Sequence, residues 1–563
     1  MGFRHSVPGV NRENEPSVRY GQLFYERTIA VIKVLVSDKL AQKGLDLLAG
    51  MDDVEVTVKT GLGEDELASI IGDFDGLIIR SGSQVTAKVL ENSGRLKAIA
   101  RAGVGVDNID IPVATQKGIV VMNTPDGNTI SAAEHSIALM MALSRHIVQG
   151  CTSLKAGKWD RKLFMGTQLI GKTLGVIGLG RIGMAVARRA LGLKMKVIGF
   201  DPVISTDIAE EAGVEVISDL DELCRQSDYI TLHVPVTDDT RGLINAQRLA
   251  LMKPSVRIVN VARGPVINED DLYEALKDKK IGGAALDVFA QEPPKNRAFE
   301  QFDNCIVTPH LGASTEEAQI EVAVDAAAEL VDAIRGIQMR NAVNVPGLDK
   351  SLPEIVKKYR VLSERLGLAI SSITPGTIKK VEVTYRGEIA GQETAAITSS
   401  FSVGLLQNKF EEPVNLVNVP ILVKQCGISI DEIRNPDAQD FASTIAVRVV
   451  TEKVDRKVTG TIIGKQMPRI IGIDDYALEM TPEGTIMIIF NDDRPGVIGS
   501  VGSICGRHGL NIGTMGVGRI KDQNRAVLAI DLDESPDEKA IAEFQKQDFV
   551  KSVYVCHLPE GGN

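Results

Sequence analysis

The chain has 563 residues, 44% hydrophobic and 24% charged, and its 74 acidic against 63 basic side chains leave a net charge of −11. At about 100–200 residues per domain this length predicts three to five domains with proper cores, which excludes wholesale disorder. The acidic balance and 4% aromatic content argue against a nucleic-acid partner, every apolar run falls well short of the ~20 residues that span a bilayer, and six cysteines without CxxC spacing indicate neither a disulfide framework nor a metal site.

Residues 1–31 show no apolar period and no cleavable hydrophobic core, and read as an N-terminal extension. Short apolar runs then alternate with helical patterns. The predicted strands are Ile32–Val36, Gly76–Ile79, Leu96–Ala100, Ile119–Met122, Thr173–Ile177, Lys196–Phe200, Tyr229–His233, Arg257–Val261, Gly283–Val288 and Cys305–Thr308. Continuously apolar strands are buried on both faces, which predicts an α/β fold with a doubly wound parallel sheet wrapped by helices. The alternation ends with an alanine-rich helix over Thr315–Arg335, and the proline-punctuated stretch 336–353 reads as a linker. Residues 354–480 read as an α+β domain with strands at Lys380–Tyr385, Thr444–Val450 and Val458–Ile463. From 482 to 563 the order is strand Ile486–Phe490, helix Gly496–His508, strands Asn511–Val517 and Ala526–Leu532, helix Asp537–Gln547 and strand Val550–Val555. That β-α-β-β-α-β order is the ferredoxin-like plan.

Gly178-Leu179-Gly180-Arg181-Ile182-Gly183 follows a predicted strand and opens a predicted helix. The first glycine permits a tight turn, the second lets backbone approach a pyrophosphate, and the third lets helix and strand pack closely. Asp201 closes the next strand, where a carboxylate meets the adenosine ribose hydroxyls and repels a 2′-phosphate; the cofactor expected is NAD rather than NADP.

Arg263, Glu292 and His310 follow three successive strands, on the edge where such a sheet carries its chemistry. Hydride transfer from a 2-hydroxy acid needs an arginine on the carboxylate, an imidazole to move the hydroxyl proton, and a carboxylate to orient that imidazole. The three residues supply one of each. Other histidines weaken any argument from histidine alone. His135 falls on an apolar helix and reads as hydrogen-bonded packing, while His233 ends a strand beside Pro235 and could line the adenine or nicotinamide pocket.

The segments GLGRIG, VNVARGPVINEDDLYEAL, GAALDVFAQEPP and TPHLGASTEEA resemble the D-isomer-specific 2-hydroxyacid dehydrogenases. RSGSQVT, RAGVGVDNID, MNTPDGN and GKWDRKLFMG are similar to its long-form members that oxidise 3-phospho-D-glycerate, and NDDRPGVIGSVGSICGRHGLNI resembles an ACT domain. The resemblance implies a flavodoxin-like substrate domain of 32–125 and 315–335, interrupted by a Rossmann-type NAD domain of 126–314. An intervening domain (354–480) and an ACT regulatory domain (482–563) follow. It implies that Arg80, Ser81, Gly103 and Arg263 bind substrate, with Arg161 and Lys162 approaching its phosphate, in some arrangements from a neighbouring subunit. Arg101 is a further candidate cation. Val104, Gly178, Gly180, Arg181, Ile182, Gly183, Asp201, Val234, Val261, Asp287 and the loop His310, Leu311, Gly312, Ala313 would contact NAD. Asn491, Asp493 and Asn511 would hold an amino-acid effector, serine in this family, at paired interfaces; Asn491 departs from the histidine or aromatic residue often found there.

The implied activity is NAD-dependent oxidation of 3-phospho-D-glycerate to 3-phosphooxypyruvate, the first step of L-serine biosynthesis, in a cytoplasmic homodimer or homotetramer. Three alternatives stay open. They are the same chemistry on an unphosphorylated acid (a glyoxylate or hydroxypyruvate reductase), a non-catalytic NAD-sensing corepressor, and an ACT-like tail that serves assembly alone.

Overall fold

The computed structural model describes residues 31–294, 298–345, 352–410, 413–438, 440–464 and 466–560, so the expected extension lies outside the described residues apart from Val31. The first sheet holds β1 (Ile32–Val36), β2 (Val54–Val58), β3 (Gly76–Ile79), β4 (Ala98–Arg101) and β5 (Val120–Asn123), all parallel, in the order β2-β1-β3-β4-β5. This is the flavodoxin-like order. β2 is missing from the predicted strands for a physical reason: it is a half-exposed edge strand whose Val-Glu-Val-Thr-Val alternation lacks a continuous apolar run. The chain leaves this sheet after β5 and returns through the helix Glu316–Ile334, whose Val322, Ala323, Ala326, Ala327 and Leu330 share a core with Val34, Ile78 and Met122.

The second sheet holds β6 (Thr173–Ile177), β7 (Lys196–Phe200), β8 (Glu215–Val216), β9 (Tyr229–Leu232), β10 (Arg257–Asn260), β11 (Gly283–Leu286) and β12 (Cys305–Val307). Its order is β12-β11-β10-β9-β6-β7-β8, parallel throughout, so the winding reverses between β6 and β9. Ligands of doubly wound sheets bind outside the strand ends at that reversal.

The stretch read as a linker, 336–353, does more than connect. Ala342 bridges antiparallel to Met122, and the Val343 amide donates to Val121 O at 2.8 Å. Asn344 accepts from the Val121 amide at 2.9 Å and donates to Ile119 O at 2.9 Å and Thr115 Oγ1 at 3.0 Å. β5 is an edge strand whose backbone groups need partners, and this segment supplies them.

A third sheet has the order β14-β13-β15-β16-β17-β18, from β13 (Ile378–Gly387), β14 (Ile430–Asn435), β15 (Ser443–Thr451), β16 (Asp455–Ile463), β17 (Met467–Ile473) and β18 (Tyr476–Met480). It is covered by the helices Glu354–Ile373 and Ala395–Leu406, which cross so closely that a Cβ on Gly367 would stand 2.2 Å from Phe401 O. Neither helix is among the predicted elements. Ala395–Leu406 is buried almost all round and so carries no amphipathic period to read.

The last sheet, from β19 (Gly484–Asp492), β20 (Ile512–Ile520), β21 (Arg525–Leu532) and β22 (Val550–Leu558), is antiparallel in the order β20-β21-β19-β22, as the ferredoxin-like plan requires. Its helices Val497–Arg507 and Glu538–Gln545 cover one face; Ile486, Ile488, Phe490, Val527 and Ala529 on the other join the core of the third sheet. Among the described residues no helix is long and apolar enough to cross a membrane.

Candidate active site

The glycines after β6 have three separate causes. Gly178 has φ +91°, open to glycine at little cost, and a Cβ there would lie 2.5 Å from His233 O. A Cβ on Gly183 would lie 1.9 Å from Gly178 O, so helix–strand packing demands that glycine. Gly180 caps the helix Arg181–Gly192, and a Cβ there would meet no protein atom within 4 Å. Protein packing does not require glycine at 180, and the open space at this helix N-terminus fits the close approach of a pyrophosphate. Asp201 lies beside this turn, accepting from the Leu179 amide at 2.8 Å and from the Val203 and Ile204 amides at 2.8 and 3.1 Å. These residues fit NAD. Arg181 pairs with Asp126 at 2.7 Å where the chain crosses between the sheets, and Ile182, Val234 and Val261 pack against the cores on either side of the reversal. Burial pushes the neighbouring His233 down to about 3, so its ring is neutral; Thr231 Oγ1 lies 2.9 Å from its Nε2.

Beyond β10, β11 and β12 stand Arg263, Glu292 and His310. His310 Nδ1 lies 2.6 Å from Glu292 Oε2, while Glu292 Oε1 accepts from the Phe289 amide at 3.0 Å. Burial pushes the Glu292 carboxyl up, but the His310 and Phe289 hydrogen bonds outweigh it, and the group is held below its ordinary value as a carboxylate. A carboxylate only accepts, so Nδ1 carries the proton and Nε2 is left to face the cleft. The loops of Arg263 and Glu292 touch directly: a Cβ on Gly264 would lie 1.9 Å from the Phe289 carbonyl carbon.

Asp287 corrects an expectation. Its side chain is 0% exposed, so it does not present itself to a cofactor. Its carboxylate accepts from Thr308 Oγ1 at 2.6 Å and from the Leu311 and Gly312 amides at 2.7 and 2.8 Å, with His135 Nε2 at 3.3 Å. It therefore ties the loop of His310, Leu311, Gly312 and Ala313 from behind. His310 itself sits at φ +55° with its amide bonded to Asp287 O at 2.8 Å. His135 takes the hydrogen-bonded role read for it.

Facing these groups from the first sheet are Arg80, Arg101 and the loop 102–108. The Arg80 amide donates to Asp38 at 2.6 Å and its guanidinium to Lys39 O at 3.3 Å; Ser81 is exposed beside it. Arg80 borders a cavity of about 510 Å³ that also touches Ala41, Ser314, Thr315 and Gln319. Gly103 (φ +150°) lies against the Arg101 guanidinium, and Val104 O accepts from Asn123 Nδ2 at 2.5 Å. Burial, and then the charge of Arg263, push Arg101 down to about 10, and its Nε has no partner among the described residues. Arg263 Nε is bonded to Asp107 at 3.0 Å across the cleft. Asp107 is absent from the residues expected here; its one sequence signal is an acid inside the glycine loop GVGVDN. The structure does not bring Arg161 and Lys162 into this group. They stand on an exposed turn, Arg161–Phe164, beside exposed Trp159, Leu163 and Met165.

In the last domain a cavity of about 320 Å³ is bordered by Asn491, Asp493, Gly496, Val517 and Arg519. Asn491 is 3% exposed and its Oδ1 has no partner among the described residues, while Asp493 is bonded to Arg519 at 2.8 Å. Asn511, expected with them, precedes the far end of β20 and donates to Asp533 at 2.6 Å; in one chain the three residues do not meet.

A parallel reversal loop with Arg, Glu and His at successive strand ends defines the class of D-isomer-specific 2-hydroxyacid dehydrogenases. The family model for the NAD-binding domain of that class matches 137–312, the D-3-phosphoglycerate dehydrogenase intervening domain matches 355–474, and the ACT domain matches 485–549. The chain is 43% identical to a D-3-phosphoglycerate dehydrogenase of Methanocaldococcus jannaschii, over 94% of this chain and 100% of that one. It is 41% identical to that of Synechocystis, over 94% and 96% of the two chains. A crystal structure from Thermus thermophilus superposes with TM-score 0.52 at 34% identity, over 55% of this chain and all of that one. The chain belongs to the D-3-phosphoglycerate dehydrogenase family, and its cofactor is NAD.

Proposed function

We propose that this chain oxidises 3-phospho-D-glycerate to 3-phosphooxypyruvate with NAD, the first step of L-serine biosynthesis. The observation that carries the reading is the His310–Glu292 pair at 2.6 Å, with Arg263 on the same sheet edge and Arg80 and Arg101 facing it from the first sheet. His310 Nε2 accepts the hydroxyl proton, and Glu292 stabilises the imidazolium that forms. Arg263 holds the substrate carboxylate and draws charge onto the oxygen as the carbonyl develops. Arg80 and Arg101 add the positive charge that a phosphorylated dianion calls for. NAD, bound at the glycine turn, supplies the acceptor for the two electrons and the hydrogen leaving the substrate carbon. Comparing kcat/KM for 3-phosphoglycerate with that for glycerate tests the reading. A phosphate-reading site favours the former by at least about 100-fold, and equal values would leave the reductase of unphosphorylated acids in its place.

Two finer points belong to the same proposal. Ile147, Val148, Leu154, Trp159, Leu163 and Met165 are all exposed within residues 147–165, an apolar content that suits a second copy of the chain, which would bring its own Arg161 and Lys162 with it. The cavity at Asn491 suits L-serine, its ammonium meeting Asn491 Oδ1 and Asp493, with Asn511 contributed by a paired domain.

A further inference from the structure

Arg263 grows from the second sheet, yet its guanidinium is held from the first. On its own side, Asn260 accepts from the Ala262 amide at 3.0 Å and donates to Arg263 O at 2.9 Å, and Arg263 Nη1 donates to Ala262 O at 2.7 Å. These contacts fix the backbone and one Nη1 hydrogen. The contact that fixes the guanidinium from the opposite wall is Nε to Asp107 Oδ2 at 3.0 Å. Gly105 makes room for it, since a Cβ there would stand 1.7 Å from Arg263 Nη2.

The loop bearing Asp107 is itself anchored to the first sheet. Asn108 Nδ2 donates to Arg80 O and Ser83 O at 2.7 Å each, the Thr124 amide donates to Gly103 O at 3.1 Å, and Asn123 holds Val104 O. Asp107 is therefore anchored to the first sheet and Arg263 to the second, so the pair spans the cleft and a separation of the two sheets would break it. With Nε and one Nη1 hydrogen engaged, both Nη2 hydrogens and the second of Nη1 remain for a carboxylate and a carbonyl oxygen. Electrostatics point the same way. Arg101 and the Arg263 guanidinium repel one another, Asp107 and Asp38 are acids whose charge reaches Arg101, and Glu292 lies within reach of the Arg263 charge on the second-sheet side. The Asp107 side chain is 66% exposed, and an ion pair so wetted adds little to folding stability, which leaves orientation as its use.

We propose that Asp107 is a positioning residue that aims Arg263 at the substrate only when the cleft is closed, coupling closure to chemistry. This rests on the reading of Arg263 as the carboxylate-binding group. Its test is a double-mutant cycle in the full-length enzyme, with Asp107→Ala and Asp107→Asn each made in wild type and in Arg263→Lys, and kcat and the KM for NAD measured. Asp107→Ala is expected to lower kcat about 30-fold with the KM for NAD within about 2-fold of wild type. Asp107→Asn, whose amide oxygen still accepts from Nε, is expected to restore most of that, to about 3-fold below wild type. In Arg263→Lys, which has no Nε–H to hold, Asp107→Ala should cost less than about 2-fold. Equal losses in both backgrounds, or Asn as damaging as Ala, would overturn the proposal; the isosteric Asn variant carries the test alone if Ala misfolds. Running the cycle on 3-phosphoglycerate and on unphosphorylated 2-oxo acids keeps the two ideas apart. Activity confined to the latter removes the substrate assignment, while the cycle on that acid still decides the role of Asp107.

Discussion

Gly180 and Gly496 hold matching places in two unrelated sheets. Each caps a helix that follows a strand, Arg181–Gly192 in one and Val497–Arg507 in the other, and at each a Cβ would meet nothing within 4 Å. Each borders a site read for a small charged ligand. They differ in how the rest of the site is gathered. Around Gly180, both neighbouring glycines and Asp201 come from one strand–helix–strand unit, so a single chain completes the cradle. Around Gly496, Asn491 and Asp493 stand at one end of the sheet and Asn511 at the other, where it is already bonded to Asp533. A cradle of local parts is whole in one copy; on the proposed reading, one that draws on both ends of the sheet would be completed by a second copy.

The strongest way to break the contrast acts on the complete half. His310→Gln should lower kcat at least about 1,000-fold, within the range of general acid–base catalysis, while the Kd for NAD stays within about 2-fold; a mutant turning over near the wild-type rate would remove His310 from its role. Next come the glycines. Gly183→Ala drives a methyl into Gly178 O and should lower the melting temperature and NAD binding together. Gly180→Ala should leave the melting temperature alone and weaken NAD binding about 10-fold, roughly 1.4 kcal/mol. Gly496→Ala should cost about 1 kcal/mol of stability for its φ of +92°; if Gly180→Ala leaves NAD binding unchanged, the open space beside it is not the pyrophosphate site.

A smaller effect follows from pH. His233 titrates near its ordinary 6.5 when unfolded and at about 3 when folded, so the unfolded chain binds the extra proton. Its contribution is complete above pH 6.5 and is lost as pH falls toward 3. Denaturant midpoints measured at pH 7.5 and pH 5 should converge in His233→Asn, and an unchanged gap would deny His233 this part. The smallest effect sharpens the incomplete side. Asn511→Ala should weaken serine inhibition as much as Asp493→Ala does, although the two are apart in one chain; a loss seen in Asp493→Ala alone would place the whole effector site within a single copy.

Much of the catalytic half was legible because a parallel sheet converts sequence order into spatial order. Glycines, Asp201 and the Arg, Glu and His follow apolar runs, and each run ends on the same edge. The start of one long helix was legible for a similar local reason: Thr315 accepts from the Ala318 amide to open the helix Glu316–Ile334, as read. What escaped was decided elsewhere. β2 and the helix Ala395–Leu406 carry the wrong period for their burial. Asp287 looks like any acid at a strand end until the fold encloses it, and residues 341–345 look like a linker until the bare edge of β5 is beside them.

By itself, then, the order of residues determined the strand ends, the glycine turn and which polar side chains follow the strands, because hydrophobic period and turn chemistry act over a few residues. Tertiary structure alone decided which of them meet. Asp107 reaches Arg263 from 156 residues away, Asp287 turns inward beneath the His310 loop, and Asn511 is held apart from Asn491. Those outcomes depend on how separate sheets and helices close on one another, and contacts between distant segments leave no period in the sequence to read.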